Sequence, residues 1–410
     1  MAGVFAFPDR ARVLHALRRR DFRLLWGGQT VSLIGDGAFL VALNWRVFAL
    51  THSTKSLGIV LIANGLAMLT TLLVGGALAD RYERRTLMIT SDLLRAGVVA
   101  GLAAVEATGH TSFGVLVVFA VGVGLGDGLF QPAFGGIVPL VVEQPLLASA
   151  NSLIALSRFG SLLVGPGLAA VVYGSFGPAT VFAADAGSFI FSAGLLWLAR
   201  PRAIEREQAE GVFREIATGI RYVAGVPWLW VTIALASVVL MVGVAPFQVL
   251  LPKLVQQHFH RGVAAFGLLY ALMGGGMALG TLLFGQINPR RNRAIVTYGA
   301  WAATDACRLV IALSPSYALA AGMQFGRGAT AAFGIGIWET MLMERVPENR
   351  LARVISLDWF GSFGLTPIGY AVAAGVSGLA SPSVIIAAGA SIGVALWLLA
   401  LLPRSIRSVG

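Results

Sequence analysis

LASANSLIALSRFG (residues 147–160) aligns without a gap on LARVISLDWFGSFG (residues 351–364). Leu147, Ala148, Ser152, Leu153, Phe159 and Gly160 recur as Leu351, Ala352, Ser356, Leu357, Phe363 and Gly364, each 204 positions later (351 − 147). Half of the 410-residue chain is 205, so the spacing is that of a half chain. Two looser echoes keep the same order. SDLLR (91–95) returns as TDACR (304–308), and GALADRYERR (76–85) returns as GQINPRRNR (285–293). Three echoes in one order predict two pseudo-equivalent halves.

The composition says what each half is made of. The chain is 57% hydrophobic and 12% charged, where a soluble domain has about a quarter charged residues. Apolar runs of about 20 residues, each long enough to cross about 30 Å of hydrocarbon as a helix, recur along it. They cover approximately 24–50, 57–79, 87–107, 113–139, 148–174, 178–199, 227–252, 264–287, 294–313, 317–342, 354–377 and 383–403. The expected fold is therefore an all-α membrane protein with twelve transmembrane helices in two pseudo-symmetric six-helix bundles. Its parts are an N-terminal segment (1–23), a first bundle (24–199), an amphipathic linker (200–226), a second bundle (227–403) and a tail (404–410). Parallel halves related by an axis along the membrane normal are the design of transporters that rock around a central site.

An even number of spans puts both ends on one side. The arginines at 10–23, 81–85, 200–221, 290–293, 345–353 and 404–407 fall in alternate loops, and the positive-inside rule places those loops and both ends in the cytoplasm. Residues 1–21 are basic and amphipathic, without the separate apolar core of a cleaved signal. The net charge of +11 is thus explained by topology and contact with anionic lipid. No basic face with interleaved aromatics points to nucleic acid. The single cysteine, Cys307, excludes an intrachain disulfide and a Cys-type metal site. GVGLGDG (122–128) lies inside a span with no preceding strand, so it reads as helix packing rather than a dinucleotide fingerprint. There is no phosphate-binding G-x-x-x-x-G-K-[ST] loop and no nucleophile–base pair, and neither a cofactor, a metal nor an enzymatic activity is expected.

Gly76, Leu78, Asp80, Arg81, Arg84 and Arg85 resemble the signature between helices 2 and 3 of the major facilitator superfamily, G-x-L-x-D-R-x-G-R-R, with Glu83 where the family usually has glycine. SLLVGPGLAA (161–170) resembles the antiporter signature of helix 5, keeping Gly165 and Pro166 while small residues replace its other glycines. PAFGGIVPLVV (132–142), NSLIALSR (151–158), WETMLMERVP (338–347) and RVISLDWFGSFGLTPIGY (353–370) look like the twelve-helix drug-exporter branch that includes macrolide-efflux and enterobactin-exporter-like proteins. The resemblance implies the major facilitator fold, with helices 1, 4, 7 and 10 lining a cavity that opens alternately to either side.

On that fold, Asp36 in SLIGDGAFLV (32–41) and Asp127 in GLGDGLFQP (124–132) sit about halfway along helices 1 and 4 and would face the cavity near the midplane. An acid there costs a few kcal/mol by insertion scales, so it pairs or works. A carboxyl out of water holds its proton more readily, as a proton carrier must; two acids could instead hold a cationic substrate. Arg158 on helix 5 offers a buried ion pair with either acid, which would make one of them structural. Arg327 and Glu339 on helix 10 raise the same choice; twelve residues put them about 18 Å apart, too far to pair, and Glu339 fits a cytoplasmic gate. Asp92 with Arg95, and Asp305 with Arg308, have the i, i+3 spacing that lets them neutralise each other. Asp185 has no assignment.

The helix 2–3 loop reads as a latch. Asp80 would meet the positive end of a helix dipole near Asp358, while Arg81, Arg84 and Arg85 hold the loop against lipid phosphates or nearby acids. Gly76 belongs to the same latch motif, and Gly165 and Pro166 would permit close approach and a bend in helix 5, unless these features only pack. The expected function is proton-coupled export of a small lipophilic or amphipathic compound from a multi-pass inner (plasma) membrane protein, a monomer in contact with membrane lipids, with Trp45 and Phe130 available to planar substrates. The alternatives are a specific exporter of a siderophore or other metabolite, a lysolipid flippase, and a non-transporting receptor.

Overall fold

The computed structural model describes residues 14–202, 220–287, 289 and 291–402, the side chains at 73, 76, 77, 79–81, 148, 348, 349, 352 and 353 excepted. These residues form twelve long helical segments and no strand. They are α1 (Arg20–Thr51), α2 (Thr54–Arg81), α3 (Arg84–Ala107), α4 (Phe113–Val141), α5 (Leu147–Phe176) and α6 (Pro178–Leu198). Then come α7 (Pro227–His258), α8 (Val263–Ile287), α9 (Arg293–Leu313), α10 (Tyr317–Arg345), α11 in two pieces (Glu348–Phe363 and Thr366–Val376) and α12 (Pro382–Leu399). Of the expected linker (200–226), residues 203–219 lie outside the described residues, as does the expected tail (404–410).

Local chemistry sets the ends. Ser112, Ser316 and Ser381 cap α4, α10 and α12 by accepting from the backbone N–H three residues on. Gly177 takes φ +82, a left-handed backbone that glycine adopts without cost, and so ends α5 while Pro178 starts α6. Two spans differ from their sequence outlines. α7 runs to His258 rather than 252 and contains π-helical turns at Leu240–Val244 and Leu254–His258. α11 breaks after Phe363 because Pro367 has no N–H for the carbonyl four residues back.

The solvent of this fold is legible in what its helices hide. On α3, Asp92 and Arg95 are buried while their neighbours Leu93 and Leu94 are exposed; on α9, Asp305 and Arg308 are buried while Val310 and Leu313 are exposed. Charge inside and leucine outside suits hydrocarbon, and nine of the segments are long and apolar enough to cross a membrane.

The chain gathers into two compact units, Met1–Arg46 with Ala63–Glu207, and Val47–Ile62 with Gln208–Gly410. The second takes in the start of α2 because Gly58 packs against Ala374 and the Tyr370 carbonyl on α11. Each unit has the same internal wiring. In the first, α3 packs on α4 and α6; in the second, α9 packs on α10 and α12. Glycines let the remaining pair approach in both. A side chain on Gly124 or Gly128 of α4 would strike the backbone of α2, and one on Gly276 or Gly280 of α8 would strike the backbone of α10.

Candidate functional site

The first unit is organised around one guanidinium. Arg95 donates through Nη2 to Asp92 on its own helix and through Nη1 to Asp127 Oδ1 at 3.0 Å, and the same Nη1 stands 3.9 Å from Asp36 Oδ1. Its Cζ lies 4.5 Å from the Phe130 ring centroid and 4.2 Å from that of Phe189. Gly126 leaves the space, since a side chain there would overlap the arginine stem. Helices α1, α3, α4 and α6 thus all contribute to the surroundings of one cation.

The acids are not equivalent. Asp92 is 0% exposed, whereas the side chains of Asp127 and Asp36 are 29% and 37% exposed. Asp185 on α6 is buried as well. Its Oδ1 accepts from Ser188 Oγ at 3.3 Å, and its Oδ2 has no partner among the described residues. A side chain on Gly35 would run into this carboxylate, which places Asp185 against the α1 backbone next to Asp36. On the other side of Asp36, a side chain on Gly37 would meet the Ser161 carbonyl at 3.0 Å and Pro166 Cδ at 3.2 Å, and one on Gly165 would meet the Ile34 carbonyl at 2.5 Å. The GDG triplet therefore serves three ends: Gly35 admits α6, Gly37 admits α5, and Asp36 faces Arg95.

In place of the Arg158 considered from sequence, the guanidinium that reaches Asp36 and Asp127 is Arg95, because it stands on the buried face of α3 while Arg158 is exposed on α5. Phe130 is buried against Arg95, so its ring is engaged rather than open to a planar ligand. Glu339 is exposed on α10. Arg327 is buried on that helix, its Nε donating to Gln324 Oε1 at 3.0 Å and its Cζ 4.7 Å from the Phe247 ring centroid. Nearby in the same unit, Arg308 pairs with Asp305, whose Oδ2 also accepts from Trp397 Nε1 at 3.1 Å.

Of the loop residues, Gly76, Asp80 and Arg81 stand at the end of α2, and their side chains lie outside the described part of the structure. Arg84 donates to the Gly136 carbonyl of α4, and Arg85 to the carbonyls of Leu196 and Trp197. Both arginines bind backbone oxygens of their own unit, two of them at the α6 C-terminus, where a cation meets the negative end of the helix dipole. Asp358 on α11 accepts from Trp338 Nε1 at 3.1 Å.

Known proteins share this architecture. An enterobactin exporter, EntS, of Salmonella choleraesuis (strain SC-B67) is 27% identical over 373 residues, covering 88% of this chain and 86% of its own. A bacterial homologue of the iron transporter ferroportin, solved in an inward-facing state, superposes with a TM-score of 0.71 at 16% identity, over 93% of this chain and 98% of that one. A D-xylose–proton symporter gives 0.74 at 12% identity, over 95% and 99%. At these identities the likeness to the solved structures is one of fold. The sequence model of the Major Facilitator Superfamily matches residues 25–365. With that match over most of its length, the chain belongs to the Major Facilitator Superfamily, as a multi-pass membrane transporter.

Proposed function

We propose that this transporter exports a secreted small organic molecule in exchange for protons, and that Asp36 and Asp127 are the groups that load and release them. The relatives named as enterobactin exporters favour a single metabolite of the siderophore class over a broad range of drugs. The observation that carries the proton reading is the charge ratio around Arg95. One cation stands within 4.0 Å of three carboxylates, two of them part-exposed. Unbalanced charge in a low-dielectric interior is expensive, so the cluster is closest to neutral when its open acids carry protons. Asp36 has the loosest hold on Arg95. A proton arriving there leaves the guanidinium to Asp127 and Asp92; a proton leaving draws it back toward α1. Gly37 and Gly165 transmit that pull to α5 through backbone contact.

In this reading both termini are cytoplasmic, the protein works as a monomer, and the α2–α3 loop with Gly76, Asp80 and Arg81 latches the cytoplasmic side. Arg84 and Arg85 fix the root of that loop.

The test is uptake into proteoliposomes under an imposed pH gradient, with a panel of siderophores and unrelated lipophilic drugs. One pH unit is worth about 1.36 kcal/mol per proton, or roughly tenfold accumulation. The parent should concentrate its substrate, and Asp36→Asn should bind it without concentrating it. If Asp36→Asn and Asp127→Asn both couple as the parent does, the proton assignment fails. A parent that moves many unrelated compounds replaces the single-metabolite reading with a multidrug one.

A further inference from the structure

The buried charge clusters of the two units are opposite in sign. Around Arg95, carboxylates outnumber the cation; around Phe247, cations outnumber the acid. Arg308 and Arg327 both stand over that ring, at 5.8 and 4.7 Å from its centroid, and Asp305 is already engaged by Arg308 and Trp397. Arg327 has no carboxylate within 4.0 Å among the described residues, although it is only 6% exposed. A guanidinium cannot shed its charge by losing a proton in a protein. A buried arginine without a counter-charge therefore calls for an anion from outside the chain.

Gln324 points the same way independently. It is 0% exposed, and its Oε1 accepts from Arg327 Nε. Arginine only donates, so this bond fixes which way the amide faces. Gln324 Nε2 is left as a buried donor with no partner among the described residues. Arg327 Nη2 reaches only the Met273 sulfur, a weak acceptor, at 2.6 Å; the guanidinium and the amide N–H, one helical turn apart on α10, together present donors to an anionic acceptor that the described residues do not supply. The helix that brings Phe247 beneath them has π-helical turns on both sides of Ala245–Lys253, a distortion that recurs at functional sites.

We infer that Arg327 and Gln324 form an anion site in the second unit, which takes the acidic group (carboxylate, phenolate or sulfonate) of a small organic molecule. Its role as a substrate contact rests on the export reading above; its ability to bind an anion does not. An organic acid and a simple inorganic counter-ion share this chemistry, and the experiment separates them.

Equilibrium dialysis of the full chain in detergent micelles, with no pH gradient, measures binding of radiolabelled 1-naphthoate against its neutral amide and against added sodium chloride. Saturable binding of the acid is expected, at least about tenfold tighter than the amide, as for a charge-assisted bond. Arg327→Gln should weaken it about tenfold or more, Arg327→Lys less because the charge remains without the fork, and Gln324→Leu a few-fold. Should Arg327→Gln not fold, Gln324→Leu and protection of the parent against thermal unfolding by naphthoate carry the test. The proposal is overturned if the parent binds acid and amide alike, if Arg327→Lys and Gln324→Leu both bind as the parent does, or if chloride at equal concentration displaces the naphthoate. Because no proton movement is read, these outcomes are independent of Asp36 and Asp127.

Discussion

Replacing Arg95 by glutamine tests whether one guanidinium holds the first unit together. The substitution removes the only described cation within 4.0 Å of Asp36, Asp92 and Asp127. Asp92 dominates the expected cost, being 0% exposed; stranding a buried charge costs about 3–5 kcal/mol. Asp36 and Asp127, about a third exposed, add at most about 1 kcal/mol each once solvent screening is allowed for. Loss of the contacts with Phe130 and Phe189 adds about 1 kcal/mol. The variant should therefore be destabilised by roughly 4–8 kcal/mol in chemical unfolding in detergent micelles. The same measurement on Asp92→Asn and on the double variant closes a thermodynamic cycle. Neutralising Asp92 should restore at least about 2 kcal/mol, because the stranded charge is gone. An Arg95→Gln protein within about 1 kcal/mol of the parent, or a double variant no better than the single, would refute the claim that Arg95 balances the cluster.

Other expectations follow from close contacts. Gly165→Leu places a side chain 2.5 Å from the Ile34 carbonyl and 3.0 Å from the Ala38 nitrogen; it should cost about 1–3 kcal/mol in unfolding and slow transport by pushing α1 away from α5, and parent-like transport would argue against that coupling. Trp397→Phe removes the N–H that reaches Asp305 at 3.1 Å, and a loss of about 1.5–3 kcal/mol is expected for a hydrogen bond to a buried charge; no measurable change would mean that Arg308 alone satisfies that carboxylate.

Much of the fold could be read from the chain. The twelve apolar runs, the half-chain offset of 204 residues and the loop motif all pointed to two six-helix bundles, and family and structural likeness bear that out. The break in α11 was also available, in Pro367, but an apolar run gives no sign that a helix is interrupted inside it. The acid cluster was only half legible. Asp36 and Asp127 stand out because an acid in an apolar run has no local excuse. Arg95 did not, because Asp92 three residues away gave it one, and the i, i+3 spacing says nothing of a third partner 32 residues on. Asp185 was visible as an acid within a span, but its neighbour Gly35 lies 150 residues earlier, a distance that only folding closes. The echo of SDLLR in TDACR was the available signal: a charge pair repeated at the same place in both halves is an element of the fold rather than of one helix.

The inverted surface of α3 also bears on how the protein is made. An aspartate and an arginine at the centre of a span would each oppose entry into the bilayer by about 2.5–3.5 kcal/mol, yet here they sit one helical turn apart and bind each other. As the nascent chain leaves the ribosome, α3 can cross the translocon as a nearly neutral segment before α4 and α6 exist. Asp127 arrives later and takes a share of a cation that already has a partner. The local pair is the chaperone of its own helix, and the larger cluster inherits it.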